Sequence, residues 1–386
     1  MMLPSGWKKV KLGDCFDVQL GKMLNKNARE QEPQYPYLAN VNVRWGSLNT
    51  EQLPTMYFSE REKEKFALKI NDILMCEGGE IGRCTVLKEP LDNVFYQKAC
   101  HRLRAKNNLC IPGYLYFYIN NYVTSREIVG LVGESSIAHL PAEKVVQIQL
   151  NLPPLEEQKK IAATLSVWDS AIEKMEKLIN AKENSYACFL ASSIKTNAHV
   201  ELGIFLTEVS ERNKDEKIQQ VLSVSNSRGF ILPEEQFDRK VASENLSNYK
   251  IVRLGQYAYN PSRINVGSIA RLNDWNEAVI SPMYTVFEIV NQEELDSDFL
   301  LHWLNSSEAK QRIKNSAQGS VRETVGFGDL CKIKIPKFDL KKQQKIVSVL
   351  NTMNQEISLL KQQLENYKKQ KQGLMQKLLT GQWRVK

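Results

Sequence analysis

The chain has 386 residues, 42% of them hydrophobic and 25% charged, and a formal net charge of +8 at pH 7. This composition excludes a disordered or fibrous protein and predicts a globular one with room for two domains. No apolar run is long enough to cross a bilayer and the start MMLPSGWKKV has no signal-peptide core, so we expect a cytoplasmic protein without membrane contact. The basic charge favours a polyanionic partner, although charge alone is a weak indication.

The first 150 residues predict a mixed α/β module dominated by strands and loops. Short β-type runs such as NDILMC and EGGEIGRCTVL carry turn residues, and the run YLYFYIN at 114–120 is helix-like. We assign this module to residues 1–152.

A long helix is predicted next, over residues 153–196. Its apolar residues alternate at spacings of four and three, a heptad seam typical of a helix that packs along its length on another helix. Lys182 interrupts the seam. The first seam positions are Ile161, Leu165, Trp168 and Ile172.

The same pattern returns late in the chain when Gln158 is aligned with Gln343, and we call this the repeat alignment. It predicts a second long helix over residues 337–381, with Asp339 as a potential cap and an end at Thr380-Gly381. Lys371 is its one polar interruption. The corresponding seam positions are Ile346, Leu350, Met353 and Ile357.

The region between the helices, residues 197–336, is related to the first module. In the repeat alignment FLLHWLN at 299–305 matches YLYFYIN, and Val266-Gly267 matches Ile81-Gly82. The predicted fold class is α+β: two similar mixed α/β modules joined by two long helices that form an antiparallel coiled coil, with a pseudo-two-fold internal repeat. Two ordinary amphipathic helices, each on its own domain, are the simpler alternative, but helices of roughly 50 Å are too long for an average domain.

The sequence predicts no catalytic or metal site. The seven cysteines are scattered and never spaced CxxC, so we expect them to be reduced and structural, without a zinc site. Cys100-His101 is the one alternative as a nucleophile and base, but adjacent residues on a strand point to opposite faces. The chain has neither a GxxxxGK[ST] phosphate loop nor the Asn/Asp-Pro-Pro-aromatic motif of amino-methyltransferases.

Several segments resemble one protein family. The helix opening P-x(n)-Q-x-K-I occurs twice, VKLGD and SRINVGSIA lie in the two modules, and the tail QGLMQKLLTGQWRV at 372–385 is the most specific mark. In these segments, and in the order module, helix, module, helix, the chain resembles the specificity (S) subunits of type I restriction-modification systems, the HsdS family.

The resemblance implies a non-catalytic bacterial or archaeal subunit with two target recognition domains, which read the two halves of a bipartite, asymmetric site in double-stranded DNA. It implies that the helices fix the gap and dock two adenine methyltransferase subunits that use S-adenosylmethionine. Two restriction subunits that use ATP and Mg²⁺ could join them. No cofactor is expected in this chain. Three alternatives stay open: the specificity subunit of a type IIB-like system, a coiled-coil scaffold that does not bind DNA, and a stand-alone nuclease.

Candidate DNA contacts are the polar, basic and aromatic residues of the loops in which the two modules diverge. Arginine pairs with guanine and asparagine with adenine through two hydrogen bonds, whereas lysine suits phosphate contact. Each single residue could equally be a solvated surface or turn residue, so the clusters are stronger indications than their members. The candidates are Lys22, Asn42, Arg44, Trp45, Arg83, Lys98 and Ser136 in the first module, and Ser225, Asn226, Arg228, Arg263, Asn265 and Arg322 in the second.

Overall fold

The computed structural model describes residues 3–131, 139–226, 228–236, 245–317 and 324–385. The first part of the chain contains β1 (Lys8–Lys11), α1 (Leu12–Cys15), β2 (Phe16–Leu20), α2 (Lys26–Glu30), β3 (Gln34–Leu38), β4 (Val43–Arg44), β5 (Ser47–Leu48), β6 (Thr55–Tyr57), α3 (Glu60–Phe66), β7 (Ile73–Cys76), β8 (Cys84–Val86), β9 (Phe95–Tyr96), β10 (Cys100–Ala105), α4 (Pro112–Thr124), α5 (Ala142–Val145), β11 (Gln149–Leu152) and α6 (Leu155–Ser193). The second part contains β12 (His199–Glu201), β13 (Leu206–Val209), β14 (Val221–Ser225), β15 (Gly229–Ile231), α7 (Pro233–Gln236), β16 (Lys250–Arg253), β17 (Tyr257–Tyr259), β18 (Ile269–Arg271), β19 (Glu277–Ile280), β20 (Thr285–Ile289), α8 (Ser297–Leu304), α9 (Ser307–Ala317), α10 (Phe327–Cys331), β21 (Lys334–Pro336) and α11 (Leu340–Leu379).

The two modules repeat one strand topology. In the first, β1 pairs with β11 and an antiparallel sheet has the order β2-β10-β7-β8; in the second, β12 pairs with β21 and the sheet order is β13-β20-β17-β18. Each module also has one parallel pair, β3 with β9 and β14 with β19. The predicted fold class and internal repeat are therefore confirmed.

The long helices belong to both compact units of the chain. One unit contains Met1–Glu176 and Gln363–Lys386, and the other contains Lys177–Gln362. Each unit thus holds one module with one end of α6 and one end of α11. None of the helices in the described ranges is long and apolar enough to cross a membrane.

In the first unit the start of α6 packs on the end of α11. Ile161 and Leu165 are fully buried in one core with Met375 and Leu378, together with aromatic residues of α4. Trp168 lies edge-on against Tyr367, with ring centroids 5.9 Å apart. Ion pairs join Asp169 to Lys371 and Glu176 to Lys368, so the two helices run antiparallel here.

The second unit repeats this arrangement with the helices exchanged. Ile346 and Leu350 at the start of α11 share a core with Leu190 and Ile194 at the end of α6. Ion pairs again link the helices: Lys182 Nζ lies 2.7 Å from Glu356 Oε1, and Lys361 Nζ lies 2.6 Å from Glu183 Oε1. Ile357 is buried, whereas Met353 and, in the first unit, Ile172 are half-buried.

A buried glutamine at each helix start holds the helix to its module. Gln158 Oε1 accepts a hydrogen bond from Ile111 N at 3.0 Å, and Nε2 donates to Leu109 O at 2.8 Å and Pro153 O at 3.0 Å. All three partner groups lie where the chain approaches α4 or leaves β11.

The second glutamine makes the same three bonds in the repeat alignment. Gln343 Oε1 accepts from Asp296 N at 2.9 Å, and Nε2 donates to Glu294 O at 2.8 Å and Phe338 O at 3.0 Å. These hydrogen bonds explain why glutamine recurs in the P-x(n)-Q-x-K-I opening, because no shorter or non-amide side chain supplies one acceptor and two donors there.

A histidine network ties the second module to both long helices. His302 on α8 accepts a hydrogen bond at Nδ1 from the Tyr186 hydroxyl at 2.7 Å, and its Nε2 lies 2.7 Å from Asn351 Oδ1. Asn351 Nδ2 donates to Asp298, which is also paired with Arg271. Because the amide nitrogen of Asn351 is engaged, its oxygen faces His302, and the imidazole is the neutral form with its proton on Nε2.

This network predicts that acid destabilises the second unit. Burial lowers the pKa of His302 from its ordinary value of 6.5, so the unfolded chain takes up a proton more readily than the folded one. Stability is fully present above about pH 6.5 and declines as the pH falls from there towards the lower pKa of the folded state. We expect the melting temperature of the wild type to fall over this window and that of His302→Gln to fall less. The slope that remains includes His101, whose pKa is also lowered by burial; equal slopes for both proteins would contradict the prediction.

Candidate nucleic-acid interface

In the first module two polar loops meet at one end of the sheet. The β4–β5 hairpin, which carries Arg44 and Trp45, lies beside the loop between β7 and β8. Arg83 Nη2 donates to Asn40 O at 2.9 Å, and Gly46 N donates to Cys84 O at 3.3 Å. Segments that are far apart in sequence, 40–47 and 77–84, therefore form one surface.

Three of the predicted contacts in this module are engaged internally. Asn42 is buried and bonds Ala39 N and Asn49 O. Arg83 is buried and paired with a glutamate; Lys22 Nζ lies 2.6 Å from Glu62 Oε2 and 2.7 Å from Tyr57 O. These bonds shape the loops, and a DNA contact by these three side chains stays an untested prediction that their burial disfavours.

The exposed candidates of the first module are Arg44 and Lys98. Trp45 is half-buried, with its ring 6.3 Å from that of Tyr116 on α4, and it lines a cavity of about 540 Å³ between the module and α6. Trp45 therefore packs the hairpin onto α4. Arg44, at the end of β4, is the exposed side chain of the hairpin that is best placed to contact DNA. Ser136 lies outside the described residues.

The second module brings its two predicted clusters together in the same way. The turn between β14 and β15 carries Asn226 and Arg228, which are both exposed. Ser268 Oγ donates to Val224 O at 3.2 Å, and a Cβ at Gly267 would lie only 3.3 Å from Asn226 O. The loop that carries Arg263 thus packs against this turn.

Glycine is required where these loops turn. Gly82 has φ +79° and Gly267 has φ +96°, in the left-handed region that other residues rarely adopt. The matched pairs Ile81-Gly82 and Val266-Gly267 are explained by this geometry.

The remaining candidates of the second module differ in exposure. Arg263 is exposed, while Asn265 and Ser225 are half-buried. Arg322 lies outside the described residues. The exposed arginine therefore lies beside the turn that carries Asn226, and these side chains form the polar surface of the second module.

The comparison with known families identifies the chain. Residues 4–183 and 239–368 match the family model "Type I restriction modification DNA specificity domain". The chain belongs to this family.

Relatives of this specificity-domain protein agree with the assignment. It is 23% identical to the type I restriction enzyme MjaVIII specificity subunit of Methanocaldococcus jannaschii, over 100% of this chain and 95% of that protein. Its fold is similar to the crystal structure of the type I restriction-modification S subunit from M. genitalium, with a TM-score of 0.59, 17% identity and 98% of each chain covered. A structure described as the basis of complex assembly and conformational transition of the type I R-M system gives a TM-score of 0.61 at 16% identity, covering 98% of this chain and 99% of that one.

Two apolar residues of this specificity-domain protein escaped the sequence reasoning. Val41 and Met283 have exposed fractions of 64% and 62% and lie beside the polar loops. In the repeat alignment Val41 corresponds to Asn226, and Met283 to Lys98. Apolar side chains contact the thymine methyl group, so both are suitable for base reading. The repeat itself was the signal that could have found them.

Proposed function

We propose that this chain is the non-catalytic DNA-reading subunit of a type I restriction-modification complex, and that it reads a bipartite, asymmetric site in double-stranded DNA. One observation carries the proposal: the two modules repeat the same frame and the same meeting of two loops, yet present different exposed side chains there. Arg44 and Lys98 stand in one module, and Asn226, Arg228 and Arg263 in the other. Different side chains on a common frame predict two half-sites of different sequence.

The helices supply the spacing between the half-sites. α6 is continuous over 39 residues, a length of about 60 Å at 1.5 Å per residue. Half-sites read on one face of a duplex are separated by about one helical turn of roughly 34 Å or its multiples. A helix of this length is of the same order as this separation once the width of a module is allowed for.

Partner subunits would perform the chemistry. In this proposal two adenine methyltransferase subunits dock on the chain and bind S-adenosylmethionine, and two restriction subunits that use ATP and Mg²⁺ can join them. The complex would act in the cytoplasm. A type IIB-like system, with methylation and cleavage in one polypeptide, is the alternative; the products of the neighbouring genes distinguish the two.

The test of this function is a map of N6-methyladenine in host DNA with the gene intact and deleted. Loss of methylation at one split motif on deletion is the expected result, and it reveals both half-sites and the gap. If methylation is unchanged, binding of the purified chain with a methyltransferase subunit to random duplexes decides: no sequence preference would favour a scaffold and overturn the proposal.

Separate variants in the two modules are expected to affect separate half-sites. Arg44→Ala should relax discrimination in one half-site and Asn226→Ala in the other, each by about 1–3 kcal/mol, because a base contact is lost. Binding to duplexes with one half-site randomised measures the effect. The matched controls are Lys69→Ala and Asn276→Ala, exposed residues that precede β7 and β19 at the ends of these strands away from the loops. A uniform loss across both half-sites would instead indicate phosphate contacts.

A further inference from the structure

Cys76 and Cys100 face each other beneath the polar loops of the first module. They are directly opposite in the antiparallel pair of β7 and β10. Their backbone groups do not bond each other: Cys76 N donates to Arg83 O, and Cys100 N donates to Gln97 O. The bond from Glu77 N to Ala99 O forms the next rung, so the cysteines occupy a non-hydrogen-bonded position.

This position brings the two sulfur atoms close. In non-hydrogen-bonded pairs the Cα atoms lie about 4.5 Å apart, inside the range that a disulfide spans. Both side chains are fully buried, and both cysteines are free thiols. The pair can therefore be oxidised without a rearrangement of the strands.

The surroundings make one of the thiols reactive. The hydrogen bond from Cys100 and the nearby guanidinium of Arg83 lower the pKa of Cys76. The same hydrogen bond and burial raise the pKa of Cys100 well above its ordinary value. A stabilised thiolate beside a second thiol is the arrangement of an attacking and a resolving cysteine.

We propose that Cys76 and Cys100 are a reversible redox site, which a peroxide oxidises to a disulfide. The Cys76 thiolate attacks one oxygen of hydrogen peroxide, the O–O bond breaks, and hydroxide leaves, giving a sulfenic acid at Cys76. The Cys100 sulfur then attacks the Cys76 sulfur, forming the S–S bond and breaking the S–O bond. The thiol proton and the sulfenic hydroxyl leave as water. Two electrons pass from the two thiols to one peroxide.

Peroxide reaches the pair through the loop that covers it. Residues 77–83 connect β7 to β8 and include Gly78, Gly79 and Gly82. Gly79 and Glu80 are exposed, and local opening of so glycine-rich a loop requires far less free energy than unfolding of the sheet.

Oxidation would alter the surface that reads DNA, a consequence that rests on the proposed function. Asn40 O accepts hydrogen bonds from Arg83 Nη2 at 2.9 Å and from Cys76 Sγ at 3.7 Å. A disulfide removes the Cys76 S–H group that donates to Asn40 O, the same oxygen that Arg83 contacts, so we expect the contacts of Arg83 and of the β4–β5 hairpin to change. We expect a roughly tenfold weaker affinity for one half-site only, the loss of about one base contact.

The experiment oxidises the full-length chain with hydrogen peroxide and identifies its disulfides by mass spectrometry of peptides. A peptide pair linked through Cys76 and Cys100, which dithiothreitol separates, is the expected product. Exposed Cys188 is the internal control, because its oxidation proves that peroxide acted. Oxidised Cys188 without the linked pair overturns the proposal, and this reading needs no variant and no DNA.

Variants then test the link to DNA binding. Cys76→Ser should make half-site affinity insensitive to peroxide, because it removes the thiolate that peroxide attacks, whereas Cys188→Ser should leave the sensitivity intact. Recovery on addition of dithiothreitol separates the disulfide from methionine sulfoxide, which this thiol does not repair. If the Cys76–Cys100 disulfide forms but the affinity for DNA does not change, the proposed effect of oxidation on DNA binding is overturned. A reduced chain without DNA affinity overturns the proposed function and leaves the disulfide result standing.

Discussion

Replacing Leu165 or Leu350 with alanine is expected to destabilise the unit that contains it by about 2–5 kcal/mol. Both leucines are fully buried, Leu165 in the core of the first unit and Leu350 in that of the second. Truncation to alanine therefore leaves a cavity between the module and the helices. For a unit of this size the melting temperature should fall by about 5–15 °C. Hydrogen exchange followed by mass spectrometry assigns the loss to one unit or the other.

Each of these variants has a matched control on the same helix. Val167 and Val349 lie close to the leucines in sequence, yet their exposed fractions are 68% and 43%. Val167→Ala and Val349→Ala should change stability by less than about 0.5 kcal/mol, as surface substitutions usually do. Similar losses for leucine and valine variants would mean that the heptad seam does not face the core.

Replacing Gln158 or Gln343 with leucine should destabilise the protein by about 2–4 kcal/mol, because leucine has a similar volume but leaves one N–H group and two carbonyl groups without their partner. Unsatisfied buried groups cost about 1–3 kcal/mol each before the structure relaxes. Thermal unfolding and protection from proteolysis at the helix starts measure the loss. Equal losses of stability at both sites would show that the two glutamines make the same contribution to the free energy of unfolding as well as the same hydrogen bonds.

Two further variants test the hydrogen-bond assignment. Gln344→Leu, at an exposed neighbour of Gln343, should be close to neutral. Gln343→Glu should not restore stability, because a carboxylate can accept from Asp296 N but cannot donate to the carbonyl groups of Glu294 and Phe338. Full stability of the glutamate variant would contradict the assignment.

The fold could be predicted from the sequence where the pattern is periodic and repeated. The heptad seams through Ile161 and Ile346 predicted the two long helices, and Asp339 caps the second as expected, with Lys342 N 2.8 Å from its Oδ1. Lys182 and Lys371 are polar residues at seam positions, but they do not interrupt the helix pairing, because each forms an ion pair with the other helix.

The burial of individual loop residues could not be predicted. Arg83 is a residue type that contacts DNA, but its burial depends on two loops, well separated in sequence, coming together across a sheet. Asn42 instead bonds backbone groups of its own loop. Sequence spacing shows which residues share a strand or helix and gives no information on which loops meet.

The contact between module and helix has a consequence for chimeric chains in which a module is moved to the other position. In the repeat alignment His302 corresponds to Phe117, and Tyr186 to Lys371. In one unit a tyrosine hydroxyl meets an imidazole; in the other an ammonium group lies 5.7 Å from the centre of a phenyl ring.

A second module transplanted into the first position would set His302 against Lys371, two hydrogen-bond donors at low pH, in place of a matched pair. Replacing Lys371 with tyrosine in the same chain would restore the pair of a tyrosine hydroxyl and an imidazole. A transplanted module should therefore be stable when the helix residue that it contacts is changed together with it, and less stable when it is moved alone.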